Sequence, residues 1–482
     1  MNYTPQQLAF KEALLSTPGN IRLDAVAGAG KTTTLVSAVQ GIPPTASVIT
    51  TAFNKRIAET LTKKVPSHVT AKTFNAIGHR AFSQAIGKRL ALNADKLDQL
   101  ALELFPKERS TFAEVAVVKA LKSRGVRPKD LTEELVEEIA FDKDFFKPPR
   151  YEFVLKLLEK NIETAYAGLV DFDDQIYMSV LFAGVFDRHD FVLVDEAQDL
   201  SPLQMDMIKR LGRQSCKYAF IGDPNQAIYG FRGAGITSMD EVAERFATTS
   251  MPLSVSFRCP VKVVELARAI VSRIQSAPGA PLGTINDWRE SNWLLAEIKP
   301  GDTVLCRNNA PLIALALRMY QQRIPARVLG KDIGMGLIRF IGQFGSDSDP
   351  SDMVANKALA RLESDIRIAD AKRKLSRVAQ LEDRMETISA MASFAPRTWG
   401  EWRGQLQSIF APPGDHVVTL SSIHKAKGLE FPNVFFLDRE LLPSPRAKQD
   451  WERQQEDNLY YVAVTRVVGD GKLTFINSRD AA

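Results

Sequence analysis

The stretch IRLDAVAGAGKTTTLVSAV (Ile21–Val39) joins a short apolar run to a helical pattern through a glycine-rich turn. Its centre, AVAGAGKT, follows the pattern GxxxxGK[ST], except that Ala25 takes the first glycine position. Gly28 and Gly30 allow the backbone to bend until its N–H groups surround the oxygens of an anion, and the N-terminus of the following helix adds partial positive charge. The order of strand, loop, Lys-Thr and helix predicts a phosphate-binding loop, and a chance glycine turn is the weaker interpretation.

An acidic pair follows a second apolar run, in FVLVDEAQDLS (Phe191–Ser201). The four apolar residues predict a buried strand, and Asp195 and Glu196 come directly after it, at the strand end where parallel sheets place ligands. An aspartate there can hold Mg²⁺ together with the Thr32 hydroxyl, and the neighbouring glutamate can act as general base toward water. With Lys31 reaching the β and γ phosphates, the residues predict a site for ATP and Mg²⁺.

The rest of the chain alternates apolar runs with helical stretches, which predicts α/β lobes with largely parallel sheets. The clearest runs are Ser47–Thr51, Phe191–Val194, Tyr218–Ile221, Thr303–Cys306 and Val434–Leu437. Two stretches break the alternation with helical patterns, Ala81–Glu163 and Asp349–Met391. The second is rich in charges at i,i+4 spacing, and a solvated helical hairpin is favoured over a binding surface. We therefore expect two lobes, each carrying a mainly helical insertion.

Composition narrows the class of protein. A length of 482 residues corresponds to about three domains at ~150 residues each, and 45% hydrophobic with 25% charged residues is typical of globular chains. No apolar run approaches the ~18 residues of a membrane span. The three cysteines, Cys216, Cys259 and Cys306, are too far apart for a zinc knuckle and suit a reducing cytoplasm. A net charge of +5 fits a polyanionic partner no better than an ordinary basic surface.

Further motifs occur in a fixed order along the chain. They are TPQQ (Thr4–Gln7), TTAFNK (Thr50–Lys55), KTFNAIG (from Lys72), FIGDPNQAIYGFRGA (Phe220–Ala234), SFRCP (Ser256–Pro260), TLSSIHKAKGLEF (Thr419–Phe431) and DNLYYVAVTR (Asp457–Arg466). Together with the loop and the acidic pair, they resemble the motifs of superfamily 1 helicases of the UvrD/Rep/PcrA type over Tyr3–Arg466. The resemblance implies a DNA-dependent ATP hydrolase with two RecA-like P-loop lobes.

The resemblance also implies the residues of the ATP site. Gln7 would read adenine, Gln226 would sense the γ-phosphate, Phe257 would stack on adenine and Glu430 would face the ribose. The implied catalytic residues are Lys31, Asp195, Glu196, Gln226, Arg258 and Arg466, with Thr32 and Asp195 on the metal. The implied nucleotide-binding residues are Gln7, Ala27, Gly28, Ala29, Gly30, Lys31, Thr32, Thr33, Phe257, Arg258, Glu430 and Arg466.

The same resemblance implies contacts to single-stranded DNA. These are expected from Phe53, Asn54, Thr73, Tyr229, Phe231, Arg232 and His424. Phe231 stands where tryptophan is common, and stacking on bases tolerates that change. Asn75 stands where the family usually has histidine.

Domain boundaries follow from the positions of the motifs. The first RecA-like lobe is expected at 1–80 and 186–253 with a helical insertion at 81–185. The second lobe is expected at 254–345 and 414–482 with a reduced helical insertion at 346–413. Between the two parts of the first lobe, DFDD (Asp171–Asp174) allows a metal site or a helix start, and the N-cap preference of aspartate favours the helix.

Three functions remain open from the residues. The favoured one is an ATP-dependent helicase that acts on single-stranded DNA in replication, repair or recombination. Movement in the 3′–5′ direction is implied by the resemblance alone. The second is a translocase that remodels nucleoprotein with little unwinding, and the third is an ATP-gated DNA-binding subunit of a nuclease or polymerase complex. RNA as the track stays open, because stacking and phosphate contacts do not exclude it. Expected partners are single-stranded DNA, junctions and replication or repair proteins, with no membrane and no structural metal. The expected location is cytoplasmic and nucleoid-associated.

Overall fold

The computed structural model describes residues 3–52, 55–108, 111–142, 149–228, 238–290, 293–371, 375–410, 416–445 and 447–478. The chain divides into two compact units. The first contains the residues up to Ala25, Gly30–Pro224 and the stretch that ends at Leu253. The second contains Val26–Ala29, Asn225–Ile228 and the chain from Ser254 onward.

A six-stranded parallel sheet forms the centre of the first unit. The strands described in this unit are β1 (Asn20–Ala25), β2 (Val48–Ala52), β3 (Val69–Thr73), β4 (Ala91–Leu92), β5 (Leu169–Val170), β6 (His189–Val194), β7 (Gly212–Gly222) and β8 (Thr248–Leu253). The sheet has the order β3-β2-β6-β7-β1-β8, and β4 pairs with β5 separately. Val192, Leu193 and Val194 of β6 are all fully buried, as expected for a parallel sheet that is covered on both faces.

Helices account for most of the remaining first unit. They are α1 (Pro5–Ser16), α2 (Lys31–Val39), α3 (Lys55–Thr62), α4 (Phe74–Ile86), α5 (Lys96–Leu104), α6 (Phe112–Arg124), α7 (Glu133–Asp142), α8 (Tyr151–Tyr166), α9 (Phe172–Leu181), α10 (Pro202–Leu211) and α11 (Ser238–Phe246). Helices α5 to α8 lie between α4 and α9 in sequence and share a hydrophobic core in which Leu97, Val118 and Leu157 are fully buried. The first lobe therefore carries a mainly helical insertion.

Two lysines and two aspartates are buried together inside this insertion. The Lys96 ammonium lies 2.7 Å from Asp174 and donates to the backbone oxygen of Asn161 at 2.8 Å. The Lys122 ammonium lies 2.6 Å from Asp171 and 2.7 Å from Asp174. Burial raises the pKa of Asp174, but the two ammonium groups outweigh burial and hold that pKa below its usual value. The four charges balance, and the network joins α5, α6 and α9.

The same contacts explain the DFDD segment. The Asp171 carboxylate accepts from the Asp174 backbone N–H at 2.8 Å, and Asp174 accepts from the Asp171 N–H at 3.0 Å. This reciprocal capping box begins α9. The prediction of a helix start is confirmed, and lysine ammonium groups contact the carboxylates that a metal would have needed.

The second unit is built on a second six-stranded parallel sheet. The strands described in this unit are β9 (Val255–Ser256), β10 (Gln275–Ser276), β11 (Thr284–Asp287), β12 (Thr303–Cys306), β13 (Ala326–Val328), β14 (Val418–Ser422), β15 (Phe431–Leu437) and β16 (Val467–Ile476). Strands β9 and β10 pair separately from the six-stranded sheet. The sheet order is β11-β16-β15-β12-β14-β13, and all its neighbours are parallel. The prediction of two α/β lobes with parallel sheets is confirmed.

The helices of the second unit include a compact insertion. They are α12 (Val261–Ala267), α13 (Asn309–Gln321), α14 (Lys331–Ile341), α15 (Ser351–Ala371), α16 (Leu375–Ala392), α17 (Trp399–Ile409), α18 (Ile423–Ala426) and α19 (Asp450–Val464). Helix α16 packs on α15 and on α13. Asp383 of α16 accepts from the backbone N–H and from the side-chain amide of Asn309, both at 3.2 Å. A carboxylate at the first turn of α13 complements the dipole of that helix. This polar contact joins the pair of helices α15 and α16 to α13. No helix within the described ranges is long and apolar enough to cross a membrane.

Replacing Lys122 by methionine tests the buried charge network. The variant keeps the aliphatic stem but leaves Asp171 and Asp174 short of one cation, and breaking a buried pair costs about 3–5 kcal/mol. We expect this loss in the free energy of unfolding, measured in urea by circular dichroism. Because pairing holds the pKa of Asp174 low, the loss should shrink as the pH falls through the carboxylate range.

Lys119→Met is the matched control. Lys119 lies 3.5 Å from Asp98, and both side chains are about half exposed. Exposed pairs contribute about 0–1 kcal/mol, so this variant should unfold close to the wild-type midpoint. Equal losses in the two variants would contradict the network.

Candidate active site

The glycine-rich turn leads from β1 directly into α2. Gly28 and Gly30 have φ values of 71° and 74°, a region that residues with a Cβ rarely adopt. Gly30 is the N-cap of α2, so Lys31, Thr32 and Thr33 form the first turn of the helix. The backbone N–H groups of this turn and the helix dipole form a site for an anion, as the sequence predicts.

The Lys31 ammonium lies 2.6 Å from the carboxylate of Glu196, just beyond the end of β6. Burial lowers the pKa of Lys31, but Glu196, Asp195 and Asp223 together raise that pKa above its usual value. Lys31 is therefore charged and faces three carboxylates. The structure brings together the predicted loop lysine and the predicted acidic pair within the first unit.

Both residues of the acidic pair, Asp195 and Glu196, are in energetically unfavourable states. Glu196 has a φ of 52°, and a non-glycine residue in such a conformation costs of order 1–3 kcal/mol. Burial, followed by repulsion from Glu196, raises the pKa of Asp195 to about 7 despite the attraction of Lys31. The local cations thus do not balance the negative charge of the ionised pair. Strain and unbalanced charge of this kind are typical of functional sites.

Gln7 lies beside the glycine-rich turn in the first unit. Its amide nitrogen donates to the Thr34 hydroxyl at 3.1 Å, and its amide oxygen accepts from the Thr4 backbone N–H at 2.9 Å. Thr34 is in turn bonded to the backbone oxygen of Gly30 at 2.9 Å. The predicted adenine reader is thereby linked to the loop through two successive hydrogen bonds.

Two arginines of the predicted site lie close together in the second unit. Arg258 forms an ion pair with Glu430. Arg466 is fully buried, and its guanidinium donates to the backbone oxygens of Val462 at 2.9 Å and Leu429 at 3.0 Å. Burial, and then the nearby charge of Arg258, lowers the pKa of Arg466 to about 10. An anion near both guanidinium groups would relieve this repulsion.

The segments Val26–Ala29 and Asn225–Ile228 also belong to the second unit. The Phe257 N–H donates to the backbone oxygen of Gly28 at 2.9 Å, and the Phe257 ring is 52% exposed. The Ala27 N–H donates to the hydroxyl of Tyr461 at 2.7 Å. The Lys427 ammonium donates to the backbone oxygen of Gln226 at 2.6 Å. Backbone groups of both segments are therefore hydrogen-bonded within the second unit, by the Phe257 backbone and by the side chains of Tyr461 and Lys427.

The predicted DNA contacts are only partly described. Phe53, Asn54, Tyr229, Phe231 and Arg232 lie outside the described residues. His424 lies in α18 of the second unit, directly after β14.

Thr73 lies at the end of β3, and its hydroxyl accepts from the Ala76 N–H at 3.2 Å to cap α4. Asn75 follows in α4, and its amide donates to the backbone oxygen of Phe172 at 2.7 Å. The Phe172 ring is 54% exposed beside this motif.

The motif-based predictions did not include Gln198, which contacts the acidic pair, or Phe172, whose exposed ring lies beside Asn75. Gln198 is buried and bonds to Glu196 at 2.7 Å. The available signal for Gln198 was its position two residues after the predicted base. For Phe172 the signal was a large aromatic ring at the first position of a helix, between two aspartates, where core residues are rare.

Asp195→Asn should stabilise the protein in the absence of Mg²⁺ and nucleotide. A folded-state pKa of about 7 exceeds the unfolded value near 4, so the folded state binds more protons between these values and loses stability as the pH rises. The asparagine removes this penalty. We expect the melting temperature at pH 8 to rise by at least about 2 °C, and the gain to vanish near pH 4.

Asp190→Asn is the control of opposite sign. The Ser47 backbone N–H, followed by Arg213, holds the pKa of Asp190 below its usual value. Removal of this carboxylate should lower the melting temperature at pH 8, and the difference from wild type should disappear in acid. An Asp195 variant that melts lower than wild type at pH 8 would contradict the unbalanced charge.

Comparison with known proteins gives the family of this chain. Residues 6–247 match the family model described as the UvrD/REP helicase N-terminal domain, and residues 404–475 match that of the UvrD-like helicase C-terminal domain. The first match alone spans half of the chain. Both matches cover motifs that frame the site described above.

Several curated relatives align with most of the chain. F-box DNA helicase protein 1 of Schizosaccharomyces pombe is 25% identical over 96% of this chain and 56% of its own length. F-box DNA helicase 1 of Gallus gallus is 24% identical over 92% of this chain and 46% of its own length. DNA helicase II of Haemophilus influenzae is 22% identical over 97% of this chain and 84% of its own length. The chain spans about half the length of the F-box relatives. On the family-model match, the chain belongs to the UvrD/REP helicase family.

Proposed function

We propose that the chain is an ATP-dependent DNA helicase that moves 3′–5′ along single-stranded DNA and couples ATP hydrolysis to strand separation in replication, repair or recombination. The observation that carries the proposal is the Lys31–Glu196 contact of 2.6 Å beside Asp195, whose pKa is about 7. The loop lysine can bind the phosphates of a triphosphate, and the carboxylate pair, which local cations do not neutralise, can bind a divalent cation. The names of the three relatives reported above, each a DNA helicase, agree with this proposal.

The residues around Asp195 fit a magnesium ion. The buried carboxylate carries negative charge that the local cations do not balance, and the Thr32 hydroxyl follows Lys31 in the first turn of α2. Carboxylate and hydroxyl oxygens are ligands that Mg²⁺ prefers. Magnesium bound there would supply charge neutralisation at the phosphates. In the proposal Lys31 binds the β and γ phosphates, and Glu196 accepts a proton from the attacking water.

The second unit contributes charged and aromatic groups to the proposal. Arg258 and Arg466 bind phosphate oxygens, and fingers of this kind are worth ~10³–10⁵ in rate in related enzymes. Gln226 senses the γ-phosphate. The exposed ring of Phe257 stacks on adenine, Glu430 faces the ribose and Gln7 reads the base. The lowered pKa of Arg466 beside Arg258 supports an anion as their shared ligand.

Single-stranded DNA is proposed to run past Thr73 and the exposed ring of Phe172, whose backbone oxygen accepts from the Asn75 amide. Exposed aromatic rings stack on any base, so movement need not depend on sequence. Further proposed DNA-binding residues are Phe53, Asn54, Tyr229, Phe231, Arg232 and His424.

Single-strand–duplex junctions and replication or repair proteins are the proposed partners, and a nucleoid-associated location follows from them. The domain limits 1–80, 81–185, 186–253, 254–345, 346–413 and 414–482 belong to the same proposal.

The ATPase rate with and without oligo(dT) tests the proposal. We expect strong stimulation by DNA and a loss of at least ~100-fold in kcat for Lys31→Ala, because a charge aimed at the transferring phosphate is removed. Lys119→Ala, an exposed lysine of α6, is the control and should retain the wild-type rate. A wild-type rate that DNA leaves unchanged would contradict the motor and favour an ATP-gated binding subunit.

Partial duplexes with 3′ or 5′ tails separate helicase from translocase. The proposal predicts ATP-dependent unwinding with a 3′ tail only. Displacement of a bound protein without unwinding would favour the translocase, and unwinding from a 5′ tail would overturn the polarity.

Phe172→Ala should weaken binding of single-stranded DNA. Stacking of one base on an aromatic ring is worth ~1–3 kcal/mol, which corresponds to a rise in Kd of roughly 5- to 150-fold in fluorescence anisotropy. Phe112→Ala is the control, because Phe112 is a comparably exposed phenylalanine in α6 of the same insertion. Equal affinities of the two variants would exclude Phe172 from the track.

A further inference from the structure

A cavity of about 80 Å³ lies in the first unit between the sheet and α4. Its walls come from β2, β3 and α4, and from the segment that leads from α9 into β6. The apolar part of its lining is almost fully buried and consists of Ile49, Ile77, Ala81 and Leu211 together with the partly exposed Val185 and Phe186. A water molecule takes up ~30 Å³ in the liquid, so the cavity has room for about three groups of that size.

The segment before β6 is fixed against α4 at one side of the cavity. The Val185 backbone N–H donates to the backbone oxygen of Ala81 at 3.0 Å. The Arg80 guanidinium lies 3.0 Å from the Asp187 carboxylate, and both side chains are about half exposed. These contacts give the cavity a defined wall. They also pair the positive charge of Arg80 with a negative charge within the lining.

His189 begins β6 and lines the cavity from a buried position. Its Nδ1 lies 2.8 Å from the Ser47 hydroxyl, which can donate to that nitrogen and leave the ring proton on Nε2. Burial lowers the pKa of His189 below its usual value, against the opposing effect of Asp187. The ring is therefore neutral at pH 7, and it adds a hydrogen-bonding group but no charge to the lining.

Lys72 gives the lining its unbalanced charge. Its side chain lines the cavity from β3, is partly buried, and forms no ion pair with any residue of the described ranges. The Lys72 ammonium contributes to the lowered pKa of His189, so the two side chains lie near one another. Because Arg80 is paired with Asp187 and His189 is neutral, the lining carries one net positive charge. A partly desolvated ammonium group gains free energy from an anion beside it.

We propose that this cavity binds a short branched aliphatic carboxylate, with its apolar chain against Ile49 and Ile77 and its carboxylate on the Lys72 ammonium. A free acid and the C-terminal valine of a peptide share this chemistry. The site is separate from the acidic pair, because His189 begins β6 and Asp195 follows its end, and six extended residues span about 20 Å. The ligand contacts β3, α4 and the segment before β6, and the proposed ATP site stays open.

Titration with isobutyrate tests the proposal on the full chain, labelled at its isoleucine methyl groups for NMR. The resonances of Ile49 and Ile77 should shift with a Kd in the millimolar range, because so small a ligand makes few contacts. Ile313, which is fully buried in α13 of the second unit, should not move. N-acetylvaline distinguishes the two sources. Binding tighter than that of isobutyrate indicates a peptide C-terminus, and weaker binding indicates a free acid.

Lys72→Met should raise the Kd for isobutyrate at least about fivefold, because a charge-assisted hydrogen bond is lost. The weaker binding of neutral isobutyramide should be unchanged in this variant, which isolates the charge interaction. Lys63→Met is the matched control, because Lys63 is an exposed lysine of the same unit outside the lining. Ala81→Leu fills the cavity and should abolish the shifts with both ligands. If Ala81→Leu folds poorly, the Lys72 variant still decides.

Three outcomes would overturn the proposal. They are isobutyrate that moves neither Ile49 nor Ile77, equal affinities for isobutyrate and isobutyramide, and an unchanged Kd in Lys72→Met. Competition between oligo(dT) and isobutyrate, with weaker binding of oligo(dT) by Lys72→Met, would assign the lysine to the nucleic-acid track instead. None of these measurements involves ATP hydrolysis, so a failure of the proposed function leaves the test of this cavity intact.

Discussion

The partly buried ion pair between Lys31 and Glu196 is the interaction on which the site depends. The parallel order of the sheet places the end of β6 beside the start of α2, so a lysine at a helix N-terminus meets two consecutive acidic residues. Burial, followed by repulsion from Glu196, raises the pKa of Asp195 to about 7, and the single ammonium group of Lys31 does not offset the two effects. The fold thus leaves uncompensated negative charge at the position where the proposal puts the divalent cation and the phosphates.

The first unit contains a second buried cluster that makes the contrast clear. Lys96 and Lys122 balance Asp171 and Asp174, and pairing holds the pKa of Asp174 below its usual value. That cluster joins helices and needs no ligand. Around Asp195 the same residue types are unbalanced, and the backbone of Glu196 is strained. A buried cluster whose charges are all neutralised and hydrogen-bonded by its neighbours is structural, whereas a cluster with unneutralised charge indicates a functional site.

Motifs with strong local chemistry were predictable from the sequence, and contacts made across long separations were not. The strand at Thr303–Cys306 was located correctly because four buried apolar residues follow one another. Strand β7 begins at Gly212, earlier than predicted, because its first half contains Arg213 and Lys217 in place of an apolar run, and Gly212 and Lys217 pair with His189 and Phe191 of β6. The helix start at Asp171 was readable from its capping residue, but the lysines beside it come from 49 and 78 residues away. Gln198 escaped because its partners Asp223 and Ser238 are distant in sequence.

Proton release on nucleotide binding tests the central claim most directly. With a pKa of about 7, Asp195 is about half protonated at pH 7 in the free protein, and binding of a Mg²⁺-saturated, non-hydrolysable ATP analogue requires the ionised form. Calorimetry in buffers of different ionisation enthalpy should therefore detect release of roughly half a proton per site at pH 7, falling toward zero at pH 8.5 and absent in Asp195→Asn. Equal proton release by wild type and Asp195→Asn would contradict the account.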